Sequence, residues 1–466
     1  MTTPAGHSLS REEIARFSRQ LMLKGIGPSG QERLRGTKAL IVGAGGLGCP
    51  VSMYLVAAGI GRLGIVDHDV VSIDNLHRQT MHDQQRVGQS KADSLKESLL
   101  RINKEADVVA YNMLLTSKNV LQLLDGYDIV ADCSDNAATR YLINDACVLS
   151  GKPLVFGSAL GWEGQFTVYN NGPNCPCYRC IFPVPPRPEH VMSCSEAGVL
   201  GPVVGVIGSL QALEIIKIAV HGHSSFAGNL WMFDGFEGTS KKISLREKMA
   251  NCAICSANPQ IKELQDYKKF CGSDPSDKVR SLNLLSPEKR TSPREYSNLR
   301  SKGVDTAILL DVRPPTEFDI CRLPEAKNFP WEELKRAKVE AIMDKLNNTE
   351  NHNKSSAVIN GTSADARTKV FVVCHHGNDS QLAARHLNER LADAGVADRF
   401  TVRDIVGGLD GWALEVVVFS LLELLCKKGR EPSSTRQTEA ERGRVVTHAT
   451  HTPRAPKEEC PEKHKF

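Results

Sequence analysis

Apolar residues along this chain gather in short continuous runs, separated by stretches in which they recur at helical spacing. Residues 38–42 read as a buried strand, glycines follow, and residues 47–58 read as a helix. Residues 63–66 predict a second strand ending at Asp67, and residues 128–131 predict another, with a helix over 137–149 and a strand over 154–158 behind it. Strand and helix alternating in this way predict a parallel sheet with helices on its faces. An apolar helix over 206–220 and a last strand over 230–233 complete the pattern. Ahead of it, Ser10-Arg11-Glu12-Glu13 is a capping-box start, and Ile14, Phe17 and Leu21 repeat at helical spacing.

Periodicity breaks across residues 263–293, where Gly272, Pro275, Pro287 and Pro293 predict an interdomain linker. A second, smaller α/β pattern then spans 294–425, with strands at 307–310, 369–373 and 400–406 and a helix over 379–391. Residues 347–368, rich in Asn, Ser, Thr and Gly, read as a surface loop within it. The polar stretch 426–466 carries scattered prolines and reads as a disordered basic tail.

Length and composition narrow the classes. The chain of 466 residues, 41% hydrophobic and 24% charged, suits two or three globular units and excludes a collagen-like, coiled-coil or wholly disordered protein. Its net charge of +4 is matched by the segment after residue 426 alone, with ten basic and six acidic side chains. The folded part is then near neutral, and no nucleic-acid-binding surface is expected. Residues 1–10 lack the apolar core of a secretion signal, and the apolar run 413–426 contains Glu415 and Glu423 and is too short to span a bilayer. The expectation is a cytosolic protein without membrane contact. There, the 14 cysteines point to metal ligands and reactive thiols rather than disulfides.

Gly43-Ala44-Gly45-Gly46-Leu47-Gly48 follows a strand and opens a helix, a turn that lets backbone N–H groups approach phosphate. Asp67, at the end of the second strand, could bind ribose hydroxyls, which fits NAD as well as ATP. The segment Asp74-Asn75-Leu76-His77-Arg78-Gln79 and then Lys91 add two cations that suit a triphosphate better than a dinucleotide. In Asp132-Cys133-Ser134-Asp135-Asn136, Asp135 could hold Mg²⁺ beside the phosphates or cap the next helix. Cys177 and Cys180, with Cys252 and Cys255, form two CxxC pairs, which in one domain favour structural zinc over a redox pair. Cys194 follows a proline-rich stretch, as an accessible loop thiol or a buried inert one. Cys374 ends a strand and leads through His375-His376-Gly377-Asn378 into a helix, which aims N–H groups at the sulfur and stabilises its anion.

In their order and spacing, the glycine loop, the Asp74–Gln79 segment and the Asp132–Asn136 segment resemble the E1-like adenylating enzymes that activate ubiquitin-like proteins, and so imply a Rossmann-like E1 domain over 10–262. The Cys374 loop, with Asp311-Val312-Arg313 and Gly407-Gly408-Leu409-Asp410-Gly411-Trp412, resembles a rhodanese domain, whose cysteine carries a persulfide. A phosphatase loop would end in arginine where Ser380 stands. The likeness runs from about residue 10 to residue 412 and stops there. It implies nucleotide contacts from Gly46, Asp67, Asp74, Asn75, Leu76, His77, Arg78 and Lys91, with Asp135 and Asn136 at Mg²⁺ and the adenylate. Arg19 would enter the ATP site of a partner protomer, the four paired cysteines would hold one Zn²⁺ per chain, and Cys194 and Cys374 would be the catalytic thiols. The implied partners are ubiquitin-like sulfur carriers, namely the molybdopterin synthase small subunit and the ubiquitin-related modifier, with a cysteine desulfurase as sulfur donor. The implied processes are molybdenum-cofactor synthesis and tRNA thiolation, without tRNA binding. The rival expectations are a conjugating E1, a nicotinamide oxidoreductase, and a chain whose rhodanese domain only docks proteins.

Overall fold

The computed structural model describes residues 6–186, 198–272, 282–301, 307–347 and 367–417. Cys194, the middle of the expected linker, most of the 347–368 loop and the tail lie outside the described residues. The chain divides into two compact units, with the division between residues 278 and 279.

The first unit holds strands β1 (Lys38–Val42), β2 (Arg62–Asp67), β3 (Asp107–Asn112), β4 (Ile129–Asp132), β5 (Leu154–Leu160), β6 (Glu163–Tyr169), β7 (Asn229–Asp234) and β8 (Thr239–Ser244). They form one sheet in the order β3-β2-β1-β4-β5-β6-β7-β8. From β3 to β5 the pairing is parallel, whereas β6, β7 and β8 add on antiparallel. The sheet is therefore mixed, not parallel throughout, and β8 rather than β7 ends it. β8 reads Thr-Ser-Lys-Lys-Ile-Ser and is exposed along its length, so no apolar pattern announces it. Lysines on such an edge discourage pairing with another chain.

Chain order reverses at β1, which lies between β2 and β4, and this opens a crevice at the carboxyl ends of the strands. The helix Gly201–His221, which has Pro at its start, packs on β5 and β6. It is long and apolar enough to cross a membrane by length and composition, but burial against this sheet accounts for its character. Its polar interior residues are satisfied: Gln211 Nε2 donates to the Asp132 carbonyl (2.9 Å) and the Val155 carbonyl (3.2 Å). Ser224 Oγ donates to buried Glu214 at 2.5 Å.

The expected linker is ordered at both ends. Asp266 caps a short helix, Tyr267–Cys271, by accepting from the Lys269 N–H. Tyr267 and Cys271 are buried in the same core as Tyr141 and Leu142, so this stretch completes the first unit. At the other end, Arg290–Thr291 is a strand of the second unit.

That unit contains β9 (Arg290–Thr291), β10 (Ile308–Asp311), β11 (Ala326–Asn328), β12 (Thr368–Val373) and β13 (Phe400–Ile405), all parallel, in the order β11-β10-β12-β13-β9. Two parallel hydrogen bonds of 3.0 Å from Arg290 to Asp404 pin the two-residue β9 to β13. The helix Asp379–Asp393 follows β12 and buries Ala383, Ala384, Leu387 and Leu391 against the sheet.

Candidate functional site

A cleft opens at the end of β1. Gly43, with φ +102°, brings the chain so close to the Asp132–Asn136 turn that a Cβ would sit 2.6 Å from the Cys133 carbonyl oxygen. Only glycine fits this approach. The loop is held from below by the Ala44 N–H, which donates to Asp67 Oδ2 at 2.7 Å, and by buried His82, whose Nε2 lies 2.9 Å from the Ala44 carbonyl. Burial pushes the His82 imidazole below its ordinary value and keeps it neutral, which suits a donor to that carbonyl. Burial pushes the Asp67 carboxyl up, against the pull of Lys91 and two backbone N–H groups.

Gly46, Asp67, Arg78, Lys91, Asp135 and Asn136 all line this cleft. Lys91 opens the helix Lys91–Ile102 and pairs with Asp69 at 3.0 Å. Asp135 is exposed at the cleft and does not cap the next helix; the Asn136 side chain does, accepting from the Thr139 N–H at 2.9 Å. Asp74, Asn75, Leu76 and His77 are not among the lining residues. They build a tight turn instead: the Asn75 carbonyl accepts from the N–H groups of Arg78 and Gln79, which sets both at the cleft. Arg19 is exposed on the helix Arg11–Leu21 and also lies outside the lining.

Sequence reasoning missed several cleft residues. Arg140 donates through Nη2 to the Ser134 carbonyl (3.3 Å) and Ser158 Oγ (3.2 Å). It stands one turn after Asn136, and that helical phase was a usable signal. Asp69, Gln79, Thr139 and Ser158 are others. Under the turn, Asp132 is fully buried and accepts from the Ser134 N–H and hydroxyl, while its Oδ2 has no partner among the described residues; burial pushes its carboxyl up. With cations, backbone N–H groups and a buried acid around one opening, the cleft can seat a phosphate chain beside a ribose.

The four paired cysteines converge. Cys177 Sγ lies 3.9 Å from Cys180 Sγ and 3.7 Å from Cys252 Sγ, and Cys180 Sγ lies 3.4 Å from Cys255 Sγ. A tetrahedral zinc with ~2.3 Å bonds needs sulfurs ~3.8 Å apart, so the cluster fits that ion. All four are buried, no ligand position faces water, and the Met249 N–H points at Cys180 Sγ (3.4 Å). Within the first knuckle, Arg179 forms a buried bidentate pair with Asp145 (2.7 and 2.8 Å), and Tyr267 donates to the same carboxylate at 2.7 Å. Cys175 is buried but stands outside the cluster.

In the second unit, Cys374 follows β12 and is only 2% exposed. The Gly377 N–H donates to its sulfur at 3.1 Å and Ser380 Oγ lies 3.5 Å away. Gly377 and Ser380 draw the sulfur toward its anion, but burial outweighs them and pushes the thiol above its ordinary value. Next to it, the Leu409 and Asp410 N–H groups donate to the Cys374 and His375 carbonyls at 2.9 and 3.1 Å. Gly408, at φ +61°, permits this contact, because a Cβ would stand 2.3 Å from the Cys374 carbonyl oxygen. Arg313 is buried against Asp311, closing β10 beside this loop's strand.

The mixed sheet with its glycine-edged cleft, and the parallel sheet with its buried cysteine, are the frames of an adenylating module and a rhodanese module on one polypeptide. Residues 17–254 match the ThiF family and residues 292–415 the rhodanese-like domain. The chain belongs to the ThiF family and, with its second domain, to the enzymes that join adenylyltransferase and sulfurtransferase activities. It is 47% identical to adenylyltransferase and sulfurtransferase MOCS3 of Caenorhabditis briggsae, over 88% of this chain and 96% of that protein. It is 49% identical to the protein of the same name from Sus scrofa, over 89% and 88%. Among solved structures, E. coli MccB with MccA-N7isoASN is 22% identical, with a TM-score of 0.47 over 54% of this chain and 76% of that one.

Proposed function

We propose that this enzyme uses ATP to adenylate the C-terminal glycine of ubiquitin-like sulfur carriers and then turns that acyl group into a thiocarboxylate with persulfide sulfur. The carriers we assign are the molybdopterin synthase small subunit and the ubiquitin-related modifier, so the products serve molybdenum-cofactor synthesis and tRNA wobble-uridine 2-thiolation in the cytosol. The observation that carries the reading is the presence, on one chain, of a cleft lined by Asp67, Arg78, Lys91 and Asp135 and of Cys374 under the Gly377 N–H.

A carboxylate attacking the α-phosphate is already ionised at neutral pH, so the first step needs charge neutralisation and alignment rather than a base. Arg78 and Lys91 supply positive charge, Lys91 by leaving Asp69 for a phosphate oxygen. Asp135 and Asn136 would hold Mg²⁺, which supplies further neutralisation of the phosphates when bound. Arg19, exposed on its helix, completes the partner protomer's site in a homodimer. In the second step, the terminal sulfur of a Cys374 persulfide, loaded by a cysteine desulfurase, attacks the acyl carbon and AMP leaves. Cys194 either first takes the acyl group from AMP as a thioester and passes it to the persulfide, a cellular thiol then cleaving the acyl disulfide at Cys374 Sγ, or itself attacks that Sγ; both release the thiocarboxylate. In the second route a Cys194–Cys374 disulfide remains for a cellular thiol to reduce. The four-cysteine Zn²⁺ is structural.

A second reading, a conjugating E1 whose rhodanese domain only docks partners, draws support from the burial of Cys374 and its raised thiol. Carrier-dependent exchange of pyrophosphate into ATP tests the first step. Exchange is expected with the wild-type chain and at least about 100-fold less with Asp135→Ala. Undiminished exchange in that variant removes Asp135 from the chemistry.

A further inference from the structure

Outside the nucleotide cleft and the four-cysteine cluster, one more group of ligating side chains stands together among the described residues, on the loop that begins with Cys374. His376 Nδ1 lies 2.6 Å from Asp410 Oδ2, and His375 Nε2 lies 3.4 Å from Asp410 Oδ1. The imidazoles are stacked, with centroids 4.0 Å apart. At its far edge, His375 Nδ1 approaches Glu317 Oε2 at 3.2 Å, out of line for a full hydrogen bond, and that oxygen is otherwise buried with no donor among the described residues. The backbone separation of these groups is fixed, because the Asp410 N–H donates to the His375 carbonyl and Gly377 and Gly408 leave no room for a Cβ. The side chains remain reachable, with His375 47% and Asp410 54% exposed.

We propose that His375, His376 and Asp410 bind a divalent ion of the Zn²⁺ class, that Glu317 orients His375 for it, and that the bound ion inhibits sulfur transfer at Cys374. Two imidazoles and a carboxylate select zinc-like ions over Mg²⁺ or Ca²⁺, which take oxygen ligands. Ligands at ~2.0–2.1 Å from a tetrahedral ion stand ~3.3 Å apart, which the His375–Asp410 spacing of 3.4 Å already meets. The stacked rings must splay to aim both lone pairs at one point. The turn that does this for His375 brings its Nδ1–H into line with Glu317, giving the buried oxygen its donor, as in a carboxylate–histidine–metal triad. The ion would tie the two segments that frame the cysteine and add a fixed charge beside it.

The inhibition rests on the sulfurtransferase reading of Cys374, but the binding does not, and the two are measured separately. The full chain, loaded with one equivalent of Zn²⁺ at the four-cysteine cluster, is titrated with Zn²⁺ against a chromogenic chelator. A second equivalent is expected, weakened about 10-fold or more in Glu317→Gln and lost in the double variant His375→Gln/His376→Gln. Absence of a second equivalent, or its survival in the double variant, overturns the site. Loss of it in Cys374→Ser with retention in the double variant assigns the ion to the thiol and also overturns it. In parallel, Zn²⁺ should slow the loading of sulfur from thiosulfate onto Cys374, with sulfite leaving, read by intact mass without cyanide, which would strip the ion; the rates with and without Zn²⁺ should become equal in the double variant. A chain that transfers no sulfur with or without zinc refutes the functional reading and leaves the metal site to the titration.

Discussion

Cys374 feels two opposed forces. Hydrogen bonds from Gly377 and with Ser380 favour its anion, yet near-complete burial favours the neutral thiol, and burial prevails. A thiol raised above its ordinary value ionises only as pH rises past that value, so its alkylation by iodoacetamide should still be accelerating above pH 9.0, read peptide by peptide by mass. A rate that levels off near neutrality contradicts the burial. Sequence reveals the cysteine through its strand–loop–helix setting, but neither its burial nor the packing of Gly408, from further along the chain, against the Cys374 carbonyl. The Asp135–Asn136 pair teaches a similar lesson. Two capping-type residues stood side by side before one helix, and spacing alone could not choose between them. The extended conformation of Asn136 (φ −121°, ψ 147°) gives it the cap and leaves Asp135 facing the cleft. Arg140 stands one turn after Asn136, so its helical phase was a usable signal once Asn136 was placed at the cleft.

At the scale of elements, the parallel strands β1, β2, β4, β5, β10 and β12 were legible because both faces are buried and the sequence runs apolar. β6 and β8 were not, the first because glycine and polar residues interrupt it and the second because neither face is covered. The short helix Tyr267–Cys271 hid among turn-forming residues, and its membership of the first unit shows only in three dimensions. There, Arg179 stacks over Phe270 at 4.5 Å while pairing with Asp145, which also accepts from Tyr267. Removing one partner of so buried a pair costs about 3–5 kcal/mol, so Asp145→Ala should lower unfolding free energy by that amount in denaturant titration. A loss below 1 kcal/mol would show that the pair is not the fastening described. In the second unit, Gly408→Ala places a Cβ against the Cys374 carbonyl at positive φ. A cost of about 1–3 kcal/mol and a slower sulfur transfer to cyanide are expected, and unaltered rate and stability would refute the close contact.

Across the whole molecule, each unit has its own core, and the four-cysteine cluster belongs to the first. Metal binding to such a cluster is folding energy, so chelation should speed amide exchange in the peptides around Cys177–Cys180 and Cys252–Cys255 and leave β10 and β12 of the second unit unchanged. Equal acceleration in both units would contradict a zinc that fastens only the first. The division of labour between the units is read from the intact mass of a ubiquitin-like carrier incubated with ATP, thiosulfate and the enzyme. The wild-type chain should exchange one carrier oxygen for sulfur, and Cys374→Ala should still form the adenylate but leave the carrier's mass unchanged. Equal thiocarboxylate yield from the two proteins would show that the sulfur does not pass through Cys374.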